Sequence, residues 1–332
     1  MKFQKKYNSL IRIIALTSLI FLLSVTFSFK SVIAGPVQAD DELTAKVEAL
    51  LPDRPFVISS QQASAIMKKL NINQKQLLIS LLPVAKKYAV PPISDFFVGA
   101  AGLGISGRIY LGVNLEFPGN ALNQTVHAEQ FVITNASRNN EDQLTALAVT
   151  AAPCGHCRQF MNEVHEGSYI RIIIPENPDK RLSDLLPESF GPVDLGITTS
   201  FLLSQNLDMK IKPGQKIKDP ELVKKAFEAA NTSYAPYSKD GSGVAVRLND
   251  GSVYSGKYTE NAAFNPSLSP LQQALIEMVI EGKQFTDIKN LVLVERENSL
   301  ASQKPATITL MESIKPGIPI DIIYTEPLKT KN

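Results

Sequence analysis

The spacing of hydrophobic positions divides the chain into regions of different secondary structure. Between residues 40 and 89 the hydrophobic residues recur at helical intervals, behind Asp and Ser residues that can cap helix N-termini. This part of the chain predicts three short helices, over residues 41–53, 60–71 and 74–89. Together they make a small N-terminal helical segment that precedes the main fold.

Beyond that segment, short apolar runs bounded by glycines replace the helical spacing. Residues 97–101 and 108–114 predict a pair of strands joined by a turn through Gly102, Gly104 and Gly107. The segments that follow predict a helix around residue 128, a strand over 144–151, a helix from 154 and a strand over 169–174. Because strands and helices alternate, we expect residues 90–186 to form an α/β domain with a layered sheet.

The strand pattern returns near the C-terminus, after a stretch rich in Pro, Gly and polar residues over 187–220 that predicts a linker. Residues 243–248 and 253–256 repeat the first hairpin. An ungapped alignment pairs several positions of the two regions: Gly112 with Gly256, Glu116 with Glu260, His127 with Leu271, and Glu129 with Gln273. We therefore expect residues 221–332 to be a degenerate second copy without metal chemistry. A different topology there would refute this hypothesis.

The N-terminus has the composition of a targeting segment. Five basic residues and no acidic ones occur in residues 1–39, with a long apolar run from Ile13 to Phe29 and small residues before Asp40. This pattern predicts a signal peptide, so that the protein would be exported. Two alternatives stay open: an uncleaved membrane anchor, since the apolar run approaches the length of a membrane span, and a misplaced start codon before a cytosolic enzyme.

Composition narrows the class of partner. The chain has 332 residues with 44% hydrophobic and 20% charged residues, which is ordinary for a globular protein of two domains. Its formal charge is +2, but the segment before Asp40 supplies five of the 34 basic residues and none of the 32 acidic ones. The remainder is therefore slightly acidic, which argues against a protein that binds DNA or RNA and favours a free small-molecule substrate.

The residues best suited to chemistry are His127, Glu129, Cys154 and Cys157. Both cysteines of the chain lie in one Cys-Gly-His-Cys motif after Pro153, where a helix is predicted to begin. Zinc prefers four tetrahedral ligands and, in catalytic sites, leaves one position for water. Two thiolates and one imidazole meet that requirement, and the carboxylate of Glu129 can then move protons between water and a substrate.

Other interpretations of this motif remain open. A Cys-x-x-Cys pair also occurs in thiol–disulfide oxidoreductases, although that activity would leave His127 and Glu129 without a role. A purely structural zinc would need a fourth protein ligand, and only His156 and His165 are candidates. We interpret both as surface or packing residues. An exported protein also conflicts with the site, because an oxidising compartment would favour a disulfide between Cys154 and Cys157.

Taken together, these motifs closely resemble those of the long, two-domain bacterial cytidine deaminases. The His-Ala-Glu and Pro-Cys-x-x-Cys segments form the signature of the zinc-dependent deaminases. The resemblance extends from about residue 40 to the end and covers five blocks, two of which contain these segments: residues 98–100, 112–117, 124–130, 153–163 and 260–266. It implies a duplicated three-layer α/β/α fold, a homodimer and a cytosolic location, the last in conflict with the export-like N-terminus.

The resemblance also implies a role for each site residue. His127, Cys154 and Cys157 would hold one Zn²⁺ per catalytic domain, while Glu129 would transfer protons. A second set would bind the nucleoside: Asn114 and Glu116 at the ribose, Phe96 stacked on the pyrimidine, Ala128 as a further substrate-binding residue, and Phe264 of the partner subunit closing the pocket. The implied reaction is hydrolytic deamination of cytidine, and also of deoxycytidine, to the uridine product and ammonia. A non-catalytic nucleoside-binding protein remains a third possibility.

Overall fold

The computed structural model describes residues 40–326. Nine α-helices lie in this range: α1 (Asp41–Glu48), α2 (Ser60–Leu70), α3 (Gln74–Lys86), α4 (Ala128–Arg138), α5 (Gly155–Met161), α6 (Leu182–Leu185), α7 (Pro220–Asn231), α8 (Pro270–Ile280) and α9 (Lys304–Ile314). Ten strands accompany them: β1 (Val57–Ile58), β2 (Gly99–Gly104), β3 (Ile109–Val113), β4 (Leu144–Val149), β5 (Arg171–Ile173), β6 (Lys180–Arg181), β7 (Ser242–Leu248), β8 (Val253–Lys257), β9 (Ile288–Arg296) and β10 (Ile320–Thr325).

The N-terminal helical segment is confirmed, with each helix held at its start by a cap. The side chains of Asp40, Ser59 and Asn73 accept hydrogen bonds from the first backbone N–H groups of α1, α2 and α3. Such caps satisfy donors that have no partner inside a helix. The helices end sooner than their hydrophobic spacing predicts, because the chain turns at residues 49–50 and 87–88.

The first sheet has the strand order β1-β3-β2-β4-β5-β6, with β4 and β5 parallel. Here the predicted turn is wrong: Gly102 and Gly104 lie within β2, and the chain reverses at residues 105–107. A Cβ atom at Gly102 would come within 2.4 Å of the Val132 side chain on α4. Glycine therefore lets a helix approach the sheet closely rather than forming the turn.

The second sheet repeats this arrangement in the order β10-β9-β7-β8. Strand β7 pairs antiparallel with β8 and β9, and β10 runs parallel to β9, as β2, β3, β4 and β5 do in the first sheet. Both copies have an irregular register at the same place, next to Gly104 and Leu248. The duplication predicted from the ungapped alignment is thus confirmed, and we call residues 90–186 and 221–332 the first and second halves.

Helices cover both faces of each sheet, which gives the expected three layers. In the first half, Gly99 packs against the backbone of α3 and Gly112 against that of α4, on opposite faces. In the second half, Gly243 packs against α7 and Gly256 against α8 in the same way. The main hydrophobic core runs continuously through both halves, with a smaller cluster between α7 and the second sheet.

The remaining segments connect these layers. The predicted linker, residues 187–220, is mostly irregular and contains a short 3-10 helix at Pro192–Leu195. The predicted signal peptide or anchor lies outside the described residues. Within residues 40–326, no helix combines the length and apolar character needed to cross a membrane.

Candidate active site

The three predicted metal ligands come together where two helices begin. His127 immediately precedes α4, and Cys154 immediately precedes α5, which carries Cys157 in its first turn. The Nδ1 atom of His127 lies 3.6 Å from the Sγ of Cys154 and 3.3 Å from that of Cys157, and the two sulfur atoms are 3.6 Å apart. Tetrahedral zinc bonds of about 2.3 Å to sulfur and 2.0 Å to nitrogen place ligands roughly 3.5–3.8 Å apart. The donor set therefore fits zinc.

Local electrostatics already favour a charged sulfur. Hydrogen bonds from the Cys157 thiol and from His127 lower the pKa of Cys154 to about 3. The same hydrogen bond to Cys154 raises the pKa of His127, while the shared proton and burial raise that of Cys157. Both sulfurs are free thiols or thiolates rather than a disulfide. Such a cluster is ready to exchange its protons for a cation.

Glu129 lies beside this cluster and takes no part in the ligand set. Its side chain is only 4% exposed, and this burial raises the pKa of its carboxyl group. Within residues 40–326, His127, Cys154 and Cys157 form the only group of potential ligands spaced to share a metal. Because three protein ligands leave a tetrahedral ion one open position, the arrangement suits a catalytic zinc better than a structural one.

A cavity of about 440 Å³ opens next to these residues. That volume suits a small organic ligand. Its walls come from both the zinc cluster and the first hairpin: Ser94, Phe96, Val98, Asn114, Glu116, Thr125, His127, Ala128, Glu129, Val149, Ala151, Ala152 and Cys154. Every predicted nucleoside-binding residue except Phe264 is among them. The Phe96 ring is 59% exposed, so one of its faces is available to a ligand.

Asn114 and Glu116 are held in place by the loop that carries Phe96. The Asn114 side chain accepts a hydrogen bond from the Val98 N–H at 2.9 Å and donates one to the Phe96 carbonyl at 2.9 Å. Glu116 accepts from the N–H groups of Ile93 and Ser94, both at 2.9 Å, and from the Ser94 hydroxyl at 2.5 Å. Burial alone would raise the pKa of Glu116, but these bonds lower it.

Sequence reasoning missed one residue of the site, Ser94, and one contact of His156. Ser94 lines the cavity and fixes the Glu116 carboxylate, yet a single serine in a loop carries no recognisable pattern. His156 packs as predicted rather than joining the ligands, but its ring stacks on that of His127, with centroids 5.1 Å apart. Burial lowers the pKa of His156, which keeps this ring uncharged against its neighbour.

Phe264 lies apart from the cavity of its own chain. Its ring is 65% exposed, on a turn of the second half where its backbone adopts a φ of 61°. A positive φ is uncommon for a bulky residue and is often found at functional sites. The structure therefore leaves this ring free to contact another molecule.

Fold and site together define a class of protein: an α/β/α enzyme with a zinc centre for activating water. Two segments, residues 72–171 and 182–308, match the profile described as the cytidine and deoxycytidylate deaminase zinc-binding region. The chain belongs to the cytidine and deoxycytidylate deaminase family.

Two relatives named cytidine deaminase align along most of this chain. The protein from Photobacterium profundum is 43% identical over 285 residues, covering 85% of this chain and 95% of its own. That from Proteus mirabilis is 45% identical over 254 residues, covering 76% of this chain and 84% of its own. A solved cytidine deaminase from Mycobacterium tuberculosis aligns at 34% identity with a TM-score of 0.33, covering 36% of this chain and 98% of that one.

Proposed function

We propose that this protein is a zinc-dependent cytidine deaminase, which converts cytidine and deoxycytidine to uridine and deoxyuridine with release of ammonia. The observation that carries the proposal is the meeting of His127, Cys154 and Cys157 with the buried Glu129 beside a cavity of about 440 Å³. The family membership and the names of its relatives support the same activity.

The metal and Glu129 divide the chemistry between them. Zinc held by His127, Cys154 and Cys157 would supply the Lewis acidity that makes water nucleophilic at neutral pH. Glu129 accepts a proton as the water oxygen bonds to C4 of the pyrimidine, and it protonates the ring nitrogen N3. Glu129 then takes the second proton of the water, now on the hydroxyl group at C4, and passes it to the amino group as the C4–N bond breaks and the C4 carbonyl forms. Water and cytidine are thus consumed, and uridine and ammonia are formed.

The hairpin residues bind and orient the nucleoside. Asn114 and Glu116 each keep hydrogen-bonding capacity beyond the bonds that fix them, and they would bind the ribose hydroxyl groups. Phe96 offers its exposed ring for stacking on the pyrimidine, while Ala128 leaves room beside Glu129. Sugar recognition of this kind disfavours ligands that lack the hydroxyl groups, because buried polar groups would then lose their partners.

We further propose a homodimer in which Phe264 of one subunit closes the pocket of the other. The exposed ring and its unusual backbone conformation support this proposal, since the ring does not line the cavity of its own chain. In a closed two-fold assembly the same surface would serve both sites.

The loss of cytidine ultraviolet absorbance on addition of zinc-loaded protein tests the activity directly. We expect turnover that a strong chelator abolishes and added zinc restores. Absence of turnover, combined with metal-free reduction of insulin disulfides, would favour the oxidoreductase alternative instead. Cytidine binding without turnover by the zinc-loaded protein would favour the non-catalytic alternative.

Export stays a prediction that concerns residues 1–39 alone. The mass of the mature protein and its N-terminal sequence would test this prediction. A new N-terminus at Asp40 would confirm cleavage, whereas an intact Met1 would contradict it.

A further inference from the structure

A buried carboxylate joins the zinc-binding helix to the turn that carries Phe264. Glu163 follows α5 by two residues, and its side chain is 1% exposed. All of its hydrogen-bond donors belong to the second half. Its Oε1 accepts from the hydroxyl groups of Tyr234, at 2.8 Å, and Tyr237, and its Oε2 accepts from the Ala262 N–H at 2.9 Å.

The turn, residues 260–266, is tied to both helices that begin at the metal ligands. The Asn261 side chain donates to the Gln159 carbonyl of α5 at 3.0 Å. Gln130, next to Glu129 in α4, donates to the Pro266 carbonyl at 3.1 Å. Glu163 accepts three hydrogen bonds, whereas the side chains of Asn261 and Gln130 each donate one, so Glu163 makes the most extensive of these contacts.

Glu163 also reaches the Phe264 ring through Tyr237. The two rings lie with centroids 6.2 Å apart at an angle of 59°, so that the tyrosine supports the phenylalanine from one side. The Tyr237 hydroxyl is fixed by its bond to Glu163. The carboxylate thus holds both the backbone of the turn, at Ala262, and the side chain that packs against its exposed aromatic residue.

We propose that Glu163 is a positioning residue that sets the Phe264 turn for closing the pocket of the partner subunit. This inference rests on the proposed function, in particular on closure by Phe264. Through Glu163, the end of the cysteine helix in one subunit determines the geometry of the other subunit's substrate pocket. Glu163 does not line the cavity, and its side-chain hydrogen bonds come from Tyr234, Tyr237 and Ala262 rather than from a metal ligand. It should therefore act on nucleoside binding rather than on the chemical step.

The substitution E163Q separates this role from general stability. A glutamine has one acceptor oxygen, so either the tyrosine pair or the Ala262 N–H loses its partner. We expect KM for cytidine to rise about 10-fold, with kcat within about 3-fold of wild type and unchanged zinc content. The milder Y237F keeps the ring and should raise KM about 3-fold, which provides a second variant should E163Q fold poorly.

The matched control is E141Q. Glu141 is also buried and accepts a hydrogen bond from a tyrosine, Tyr110, at 2.8 Å, but its bonds lie within the first half. The E141Q substitution should leave KM for cytidine unchanged. An equal rise in KM for E141Q and E163Q, or a fall in kcat with zinc loss in E163Q, would overturn the proposal in favour of a purely structural role.

Mixed dimers decide whether Glu163 acts across the interface. In a heterodimer of E163Q with E129Q, made with two different tags, the working site lies in the E163Q subunit and is closed by an intact turn. We expect wild-type KM there, and likewise for F264A with E129Q. If the F264A heterodimer shows wild-type KM but the E163Q heterodimer does not, the Glu163 proposal alone is overturned. If the F264A heterodimer also fails to show wild-type KM, pocket closure by the partner is overturned, and the Glu163 proposal with it.

Discussion

The two halves of the molecule share a sheet topology but differ in the residues at the positions of the metal site. The alignment that sets Gly112 against Gly256 also sets Gly104 against Leu248, where both sheets change register. Under the same alignment Cys154 corresponds to Asn298 and Cys157 to Ala301. The second half therefore keeps the architecture of the first, although other residues replace each of the three zinc ligands.

The second half has a buried ion pair at two positions that line the cavity in the first half. Asp240 and Arg296 stand at the positions of Phe96 and Ala152, which line the cavity of the first half. Their Oδ1 and Nη2 atoms are 2.5 Å apart, and Asp240 is 1% exposed. The second half thus has a buried ion pair where the first half has two residues of its cavity wall.

One feature of the site survives in both copies. Glu260 accepts hydrogen bonds from the N–H groups of Tyr237 and Ser238 and from the Ser238 hydroxyl, the same three bonds that Glu116 makes with Ile93 and Ser94. Since the second half lacks the metal ligands, these bonds are part of the fold itself. The loop that Glu116 fixes therefore keeps its hydrogen bonds in a copy that lacks the metal ligands and the equivalent of Glu129.

The largest effect should follow from giving position 129 of the first half the residue that the second half has at the aligned position. Glu129→Gln introduces the residue found at the corresponding position 273, and it removes the group that we propose moves protons. We expect kcat to fall about 10³-fold or more, with zinc content and melting temperature retained. The matched change Gln273→Glu should give no gain in activity. Near wild-type turnover by the Glu129→Gln variant would disprove the assigned role.

Breaking the ion pair of the second half should cost stability but leave the active site intact. Arg296→Ala leaves the buried Asp240 without its cation, and we expect a loss of about 3 kcal/mol in the free energy of unfolding. Urea unfolding measures this change. The exposed pair Lys212–Glu297 provides a control, since Lys212→Ala should cost under about 1 kcal/mol. Similar small losses for both variants would mean that the Asp240 charge is satisfied by its neighbours.

Phe264→Gly tests whether the strained turn serves function rather than stability. Glycine adopts a positive φ without strain, so the melting temperature should stay the same or rise. Loss of the ring should raise KM about 10-fold, or about 1.4 kcal/mol. Asn298→Gly, at another residue with positive φ, is the control that should leave KM unchanged. A lower melting temperature with unchanged KM would show that the ring only packs.

The smallest effect concerns Lys257, which stands where the first half has Val113. Burial lowers the pKa of Lys257 to about 8 from 10.5. The folded protein therefore binds fewer protons than the unfolded chain between these values, and the free energy of unfolding should rise with pH across this window. Lys257→Met should stabilise the protein by about 1 kcal/mol at pH 7, a figure reduced because the side chain is partly exposed.

That difference between Lys257→Met and wild type should shrink as the pH approaches 10.5. Urea unfolding of both proteins at several pH values measures it. A constant difference would show that the lysine stays charged in the folded state.

The sequence predicted well which residues would meet at the candidate metal site, because its chemistry depends on rare residues at fixed spacing. His127, Glu129, Cys154 and Cys157 lie at the starts of two helices, and the position of each within its helix follows from local sequence. The duplication was also predictable, since register follows from alternating hydrophobic residues. The ends of α1 and α3 and the turn after β2 were less predictable from the sequence. The turn comes later than predicted because Gly102 packs closely against Val132, and such packing depends on tertiary structure.

The contacts between halves could not be read from the sequence. Glu163 and its partner Ala262 both lie in blocks that resemble the family, but the blocks are far apart in sequence and neither indicates that the two residues meet; the other partner, Tyr234, lies outside every block. The exposure of Phe264 follows from a backbone conformation that no pattern predicts for phenylalanine. Such features depend on how two copies of one fold pack together.

Zinc content per chain, determined by elemental analysis of fully active protein, tests the difference between the halves most directly. We predict one zinc ion per chain, lost together with activity in Cys154→Ala, because only the first half supplies ligands. Active protein without zinc, or with two ions per chain, would contradict this account.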